Sequence, residues 1–475
     1  MSTFLPEWAA DLYLELPQGD HPHPVQDRVR SALKSAIRSG RLAGGSKLPP
    51  SRELAAELSC SRSAVVNAYA QLVAEGYLET RQGSGTRVAR ARSVPSVNEA
   101  WINGEQLPRI SFSAGVCDLS SFPRADWQHA VGYVMATVPL SELYYTEPVG
   151  TRRFRAVLAE RLARVRGVVT DPRRVHVCAG TVQAVSLLAR TFAARGITAV
   201  AVENPSWPRL RPPLLSEGLR IIPVRVDENG LVVSDLARHS DAAAVFVTPA
   251  HQFPTGVTMS PSRRAELLDW AARTDGLVVE DDYDAEFNLG TAQIGALQML
   301  DPSRVIYLGT TSKILSPALR LGWVVAPPAV SAELDRARPG VDLGISVIEQ
   351  QAMAHLMSTG KLDRHLRQTR QMYNRRRNLL VSALRACIPD AQIMGARAGL
   401  HLIARLPPDV DESRVVAEAA KRSVGVFGLG YYRIGRPRSA PGALVLGYAS
   451  LNDTSITTGV QLIAESIEAV RGRPA

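Results

Sequence analysis

Residues 304–327 read RVIYLGTTSKILSPALRLGWVVAP. The apolar run 305–308 opens into a polar turn of Gly309, Thr310, Thr311 and Ser312, which delivers Lys313; Arg320 follows seven residues later. A short apolar run ending in a polar turn reads as a buried strand reaching the rim of a sheet. A lysine at that rim is placed to condense with a carbonyl, and the neighbouring hydroxyls and guanidinium are natural ligands of a phosphate. Pyridoxal phosphate combines the two. Taken alone, the segment fits equally well a solvated loop lysine with Arg320 paired to a surface acid.

Working outward, the same pattern recurs. Apolar runs of β character occupy residues 174–178, 198–202, 220–224, 243–247, 276–279, 304–308 and 322–326, with helical segments such as 182–194 and 262–273 between them. Such alternation implies an α/β domain with a mostly parallel sheet, whose ligands bind beyond the carboxyl ends of the strands. The polar signatures fall at those ends. AGTVQAV follows the first run and offers Gly180, Thr181 and Val182 at a helix start, where backbone N–H groups can hold phosphate. ENPSWPRL follows the second and places Trp207 to stack on a ring; TPAHQFPTG brings His251 and Gln252; EDDYDAEF brings Asp281 and Tyr283. Each has an ordinary structural explanation, as a turn, a packed aromatic, a core histidine or a helix cap. Recurrence at successive strand ends is what those explanations do not cover.

Toward the N-terminus the pattern changes. Residues 25–39 form an amphipathic helix with Val29, Leu33, Ala36 and Ile37 on one face, and Gly40 stops it. After the loop GRLAGGSKLPPS, Ser51 caps a short second helix, and Ser61 starts a third that presents Arg62, Ser63 and Asn67 and ends at Gly76. Two short helices joined by a tight turn make a helix-turn-helix, and YLETRQGSGTRVA adds a hairpin. Between residues 25 and 92 twelve basic residues face five acidic ones, so most of the chain's net charge of +10 sits there. That concentration suits a polyanionic partner.

With 475 residues, 45% of them apolar, the chain is long enough for two or three domains. No apolar run reaches membrane-spanning length, and the start, MSTFLPEWAADLYLEL, lacks a secretory pattern, so a cytoplasmic protein without a membrane partner is expected. The four cysteines are scattered with no CxxC pair, which argues against a disulfide framework and a zinc site alike; no metal is expected.

LPPSRELAAELSCSRSAVVNAYAQLVAEGYLETRQGSGTRV resembles the winged helix-turn-helix of the GntR superfamily of transcription regulators. That resemblance implies double-stranded DNA as partner and puts Arg52, Arg62, Ser63, Gln82 and Gly83 on it. Val66 stands where some members carry another arginine. From about residue 109 to 471 the constellation of NPSWP, PTG, an aspartate with a tyrosine two residues on, and SK with an arginine seven on resembles fold-type I aminotransferases. A winged helix fused to that domain is similar to the MocR subfamily of GntR regulators. The expected architecture is therefore a mainly α winged helix-turn-helix over residues 1–88 and a flexible linker over 89–108. An α/β PLP-dependent transferase domain of fold type I follows over 109–475, with a large subdomain at about 140–345 and a smaller C-terminal α+β subdomain of about 346–475 plus 109–139.

By the same resemblance Lys313 is the catalytic lysine, forming a Schiff base with pyridoxal 5'-phosphate. Asp281 binds the pyridine nitrogen, Tyr283 the phenolic oxygen, and Trp207 stacks on the ring. Gly180, Thr181, Val182, Thr310 and Arg320 hold the phosphate. Gln252 or His251 substitutes for the asparagine usual before PTG. Arg209 meets a carboxylate of a small amino-compound effector. Gly430 occupies the place of the usual carboxylate-clamping arginine, leaving Arg433 or Arg436 for that role. A homodimer is implied, with Tyr144 or Tyr145 completing the partner's phosphate cup. Two functions stand: a regulator that senses the cofactor or an amine, and a working aminotransferase with an accessory head.

Overall fold

Helix α1 (Val25–Arg38) forms where the apolar stripe lies, and its Val29, Leu33 and Ala36 are sealed into a small core with Leu54, Val65, Leu72, Leu78 and Val88. This computed structural model describes residues 24–38, 42, 45–81, 85–89, 108–145, 147–287, 294–395, 399–435 and 442–472. It divides into one unit through Gln106 and a second from Leu107. In the first unit α2 (Ser51–Glu57) and α3 (Arg62–Ala74) follow, then the antiparallel ribbon β1 (Leu78–Arg81) and β2 (Gly85–Val88). Ser61 caps α3, accepting from Ala64 N–H at 3.3 Å. Ser51 does not cap α2: Pro50 takes the cap position with φ −55° and no side-chain bond, and Ser51 is the first helical residue. The fixed φ of proline already directs the chain into the helix there. Gly40, the ribbon tip at 82–84 and nearly all of the expected linker lie outside the described residues.

The second unit begins with β3 (Ile110–Ser111), α4 (Arg124–Thr137) and α5 (Arg152–Arg166). Strand β4 (Val175–Cys178) leads into α6 (Thr181–Ala194), β5 (Ala199–Asn204) into α7 (Arg211–Ser216), and β6 (Arg220–Asp227) into β7 (Gly230–Leu231) and α8 (Val233–Leu236). Strand β8 (Ala244–Val247) leads into α9 (Pro261–Thr274), and β9 (Leu277–Asp281), β10 (Val305–Thr310) and β11 (Gly322–Val325) complete one eight-stranded sheet, ordered β4-β11-β10-β9-β8-β5-β6-β7. Its centre is parallel; β11 runs antiparallel to both neighbours, as does β7 to β6.

Burial on both faces explains why these strands read as unbroken apolar runs. Val200 and Val202 pack toward α6 while Ala199 and Ala201 pack toward α9, the period of two that a strand imposes. Three strands extend beyond their apolar runs into polar residues. Parallel pairing carries β5 to Asn204 and β9 to Asp281, and antiparallel pairing with β11 carries β10 to Thr310, so Glu203, Asp281 and Thr310 sit on hydrogen-bonded strand ends rather than on loops.

Helices α10 (Pro328–Ala337) and α11 (Val347–Ser358) lead to α12 (Lys361–Cys387), a helix of 27 residues. Beyond it β12 (Gln392–Met394), β13 (His401–Arg405), α13 (Glu412–Lys421), β14 (Val424–Gly425), β15 (Phe427–Gly428), β16 (Ala443–Gly447) and α14 (Asp453–Arg471) build a second layer with an antiparallel sheet ordered β12-β13-β16-β15. Strand β3 pairs with β14, so the chain just past the first unit is tied to this C-terminal layer.

Candidate cofactor site

A cavity of about 240 Å³ opens at the carboxyl ends of β5, β8, β9 and β10. It brings together Thr181, Val182, Trp207, Arg209, Asp281, Tyr283, Thr310, Lys313 and Arg320, residues that lie up to 139 positions apart by their own numbers. Lys313 leaves a turn fixed by its neighbours. Thr311 donates from N and Oγ1 to Leu321 O at 2.9 and 2.8 Å, and Thr310 Oγ1 donates to Ser312 Oγ at 3.0 Å. Burial holds the Lys313 amine below the usual lysine range, although Cys117 and Asp281 oppose that shift. A lowered proton affinity leaves more of the amine neutral and nucleophilic.

Asp281 ends β9, beside Leu308 of β10. Its Oδ1 is sealed from solvent and has no hydrogen-bond partner. Burial first, then the neighbouring Asp282, pushes its carboxyl up to about 7, with Lys313 pulling the other way. An orphaned acceptor of this kind is costly unless a donor arrives. A protonated ring nitrogen is such a donor, so the residues present fit the pyridine of pyridoxal phosphate.

Tyr283 is buried and its hydroxyl lies 3.0 Å from His251 Nδ1, which is also 2.9 Å from Asp284 Oδ2. His401 completes this group, its Nε2 at 2.9 Å from Pro254 O. Ligand-type atoms of His251, Asp284 and His401 come within 4.8 Å of one another, yet His251 Nδ1 is already engaged by Asp284 and Tyr283. We read the group as the support that aims Tyr283.

At the other end, Gly180 precedes α6 with φ +88°, open to glycine, and a Cβ at Gly322 would meet Gly180 Cα at 2.9 Å. That close approach brings the start of α6 and Arg320 side by side, with the Arg320 guanidinium donating to Ala179 O. A helix N-terminus, hydroxyls and a guanidinium around one space make an anion cradle.

The comparisons agree with this geometry. Residues 138–461 match the aminotransferase class I and II family, and residues 25–88 match the bacterial regulatory proteins of the gntR family. The multiple substrate aminotransferase of Thermococcus profundus superposes with a TM-score of 0.72 at 25% identity, covering 81% of this chain and 98% of that one. The probable rhizopine catabolism regulatory protein MocR of Rhizobium meliloti is 32% identical, with 94% of each chain covered. The pyridoxine biosynthesis regulator PdxR of Corynebacterium glutamicum is 31% identical over 95% of this chain and 99% of its own length. The chain belongs to the MocR-type GntR regulators. It is accordingly a DNA-binding transcription regulator whose aminotransferase-like domain binds pyridoxal phosphate.

Within this MocR-type regulator, some expected site residues stand apart from the cavity. Gln252 is fully buried behind it, donating to Glu203 Oε2 at 3.0 Å and to Pro205 O at 2.9 Å while accepting from Thr255. Arg433 is half-buried and does not line the cavity, though its segment is pinned to the Trp207 turn. Asn204 accepts from Ile434 N–H at 2.9 Å, and Arg211 donates to Tyr432 O at 2.6 Å. Arg436 lies outside the described residues. Tyr144 and Tyr145 are 75% and 73% exposed.

Sequence reasoning passed over Glu203, Phe253 and Ser206, all lining the cavity. Glu203 Oε2 accepts from Thr248 Oγ1 at 2.6 Å, its Oε1 is buried without a partner, and burial pushes the carboxyl up to about 7. A signal existed: Glu203 is the first acid after the unbroken apolar run 199–202, as Glu280, just before Asp281, is after the run 277–279.

In the first unit Arg52, Arg62 and Ser63 are exposed, the last two on the opening turn of α3. Their positions suit phosphate and base contacts. Gln82 and Gly83 lie outside the described residues.

Proposed function

We propose that this regulator senses pyridoxal phosphate, or a small amino compound reacting with it, and passes the signal from residues 109–475 through the connecting segment 89–108 to the DNA-binding head at 1–88. The observation that carries this reading is the sealed, unpartnered Asp281 Oδ1 on the wall of the cavity that also holds Lys313. Bound pyridoxal phosphate supplies an electrophilic carbon for amines and an electron-withdrawing ring.

Lys313 provides the attachment amine and Asp281 accepts from the ring nitrogen. Tyr283, steadied by His251, donates to the phenolic oxygen, and Trp207 covers one ring face. Gly180, Thr181, Val182, Thr310 and Arg320 hold the phosphate. Gln252 acts indirectly, fixing Glu203 on the cavity wall. Arg209, which lines the cavity, and Arg433 are assigned to an effector carboxylate. In the head, Arg52, Arg62, Ser63, Gln82 and Gly83 contact the operator. The exposed Leu140, Tyr144 and Tyr145 support a homodimer formed through this face. No helix among the described residues is long and apolar enough to cross a membrane, in keeping with work in the cytoplasm.

A ligand shifts the head only by its differential affinity for two arrangements of the protein. The test is a titration of the holo-protein with primary amines, γ-aminobutyrate and taurine among them, following cofactor absorbance and operator binding together. A matched change in both signals is expected for at least one amine or for the cofactor itself. Operator affinity that stays constant throughout, while absorbance responds, sinks the sensing role. Lys313, Asp281 and Tyr283 on one cavity also favour a second reading, in which the domain turns over; sustained conversion of an amino donor and a keto acid would establish it.

A further inference from the structure

Helix α12 carries eight basic residues and one acidic one along its 27 positions, KLDRHLRQTRQMYNRRRNLLVSALRAC. Its inner face is apolar and buried through Leu362, Leu366, Tyr373, Leu380 and Leu384. The outer face is exposed at Arg364, Arg367, Gln371, Arg375, Asn378 and Arg385. At about 100° per residue these six fall within an arc of about 80°, a single stripe about 32 Å long. The acid of the helix, Asp363, is held by Arg161 and Arg164. Three other basic residues are drawn off the stripe: Lys361 to Asp126 at 2.9 Å, Arg370 to Glu286 at 3.0 Å and Arg376 to Asp118 at 2.9 Å. On the stripe Arg375 pairs with Asp453, while Arg364, Arg367 and Arg385 make no ion pair among the described residues.

We propose that this stripe is a second DNA-contacting surface, on the aminotransferase-like domain itself, which holds the phosphate backbone of duplex outside the sites read by the head. Duplex DNA presents one negative charge per about 1.7 Å of its axis, so a stripe about 32 Å long meets many phosphates at once. Guanidiniums interleaved with amide side chains, with Asp453 beside Arg375 the one carboxylate paired to the stripe among the described residues, are the composition of backbone contacts, which position without reading sequence. A second copy of the chain is a poor occupant, since a two-fold contact through the stripe would set arginine against arginine. DNA is the polyanion this family already binds, and once the head is engaged the neighbouring duplex is present at high effective concentration.

The test uses the full-length holo-protein and fluorescence anisotropy on a random-sequence duplex of about 60 bp across a salt series. Two triple variants are compared with wild type: Arg364→Gln with Arg367→Gln and Arg385→Gln, and the same positions changed to Lys. The glutamine variant is expected to bind about tenfold or more weakly near physiological salt, and its log affinity against log salt should flatten by about 2.7, or 0.9 for each lost contact. The lysine variant should keep both affinity and slope. Unchanged cofactor absorbance and melting in each variant would tie the loss to the surface rather than to folding. The proposal is overturned by a glutamine variant with wild-type affinity and slope, or by a lysine variant that falls as far as the glutamine one. The amine response is read separately by absorbance, so failure here leaves the sensing role untouched.

Discussion

Asp281→Asn should move two properties in opposite directions. The folded-state carboxyl titrates near 7 against an ordinary 3.8, so in the cofactor-free protein it is a liability at neutral pH. For an acid with a raised folded pKa the penalty is absent below the unfolded value. It grows as pH climbs and is complete above the folded value. The gross cost is about 4 kcal/mol, which the open side of the cavity screens to about 2 kcal/mol. Asparagine is nearly isosteric and carries no charge. Apo Asp281→Asn should therefore melt about 3 °C higher than wild type at pH 8, the gain shrinking by about two thirds at pH 5. Cofactor affinity should fall about 10- to 150-fold, the worth of a charge-assisted hydrogen bond. Calorimetry of the apo-protein at both pH values and an absorbance titration with pyridoxal phosphate measure the two effects. A lower apo melting point at pH 8, or undiminished cofactor affinity, would refute the placement of Asp281 as the partner of the ring nitrogen.

Lys313→Ala should abolish the visible absorbance of bound cofactor, and persistence of that band would point to another attachment amine. Arg62→Ala is expected to weaken operator binding by about 1–3 kcal/mol if it reads a base, within a complex that loosens steeply with salt; a salt-insensitive complex in gel-shift assays would contradict the charge argument. Arg166→Met removes the charged partner of Asp282, which accepts from Arg166 Nε at 2.7 Å with both side chains almost wholly buried, and leaves it only the Tyr307 hydroxyl at 2.7 Å among the described side chains. Stranding that carboxylate should cost about 3–5 kcal/mol by urea unfolding, and adding Asp282→Asn should recover much of it. An equally unstable double variant would show that packing, not charge, is at stake.

How far the chain could be read without coordinates depends on what each residue needs around it. The strands were legible because burial on both faces leaves unbroken runs such as 305–308, and Lys313, Asp281 and Tyr283 were legible because each lies in the short polar stretch that ends such a run. Gln252 shows where that logic stops. A glutamine beside a strand end can face the cavity or turn behind it, and only the parallel pairing of β5 with β8 puts Glu203 within 3.0 Å and claims the amide. Glu203 itself hid in ENPSW for the same reason, its burial being a property of the assembled sheet.

What the amino-acid order determined by itself was local: apolar periods, turn residues, and the charge gathered in the head, all set by neighbours a few positions apart. The tertiary structure decided which polar groups are left without partners, because desolvation of Asp281 Oδ1 and Glu203 Oε1 depends on segments far apart in sequence meeting around them. It also decided which arginines of α12 are neutralised and which make no ion pair among the described residues, since the acids that claim Arg370, Arg375 and Arg376 arrive from Glu286, Asp453 and Asp118, at least 78 positions away.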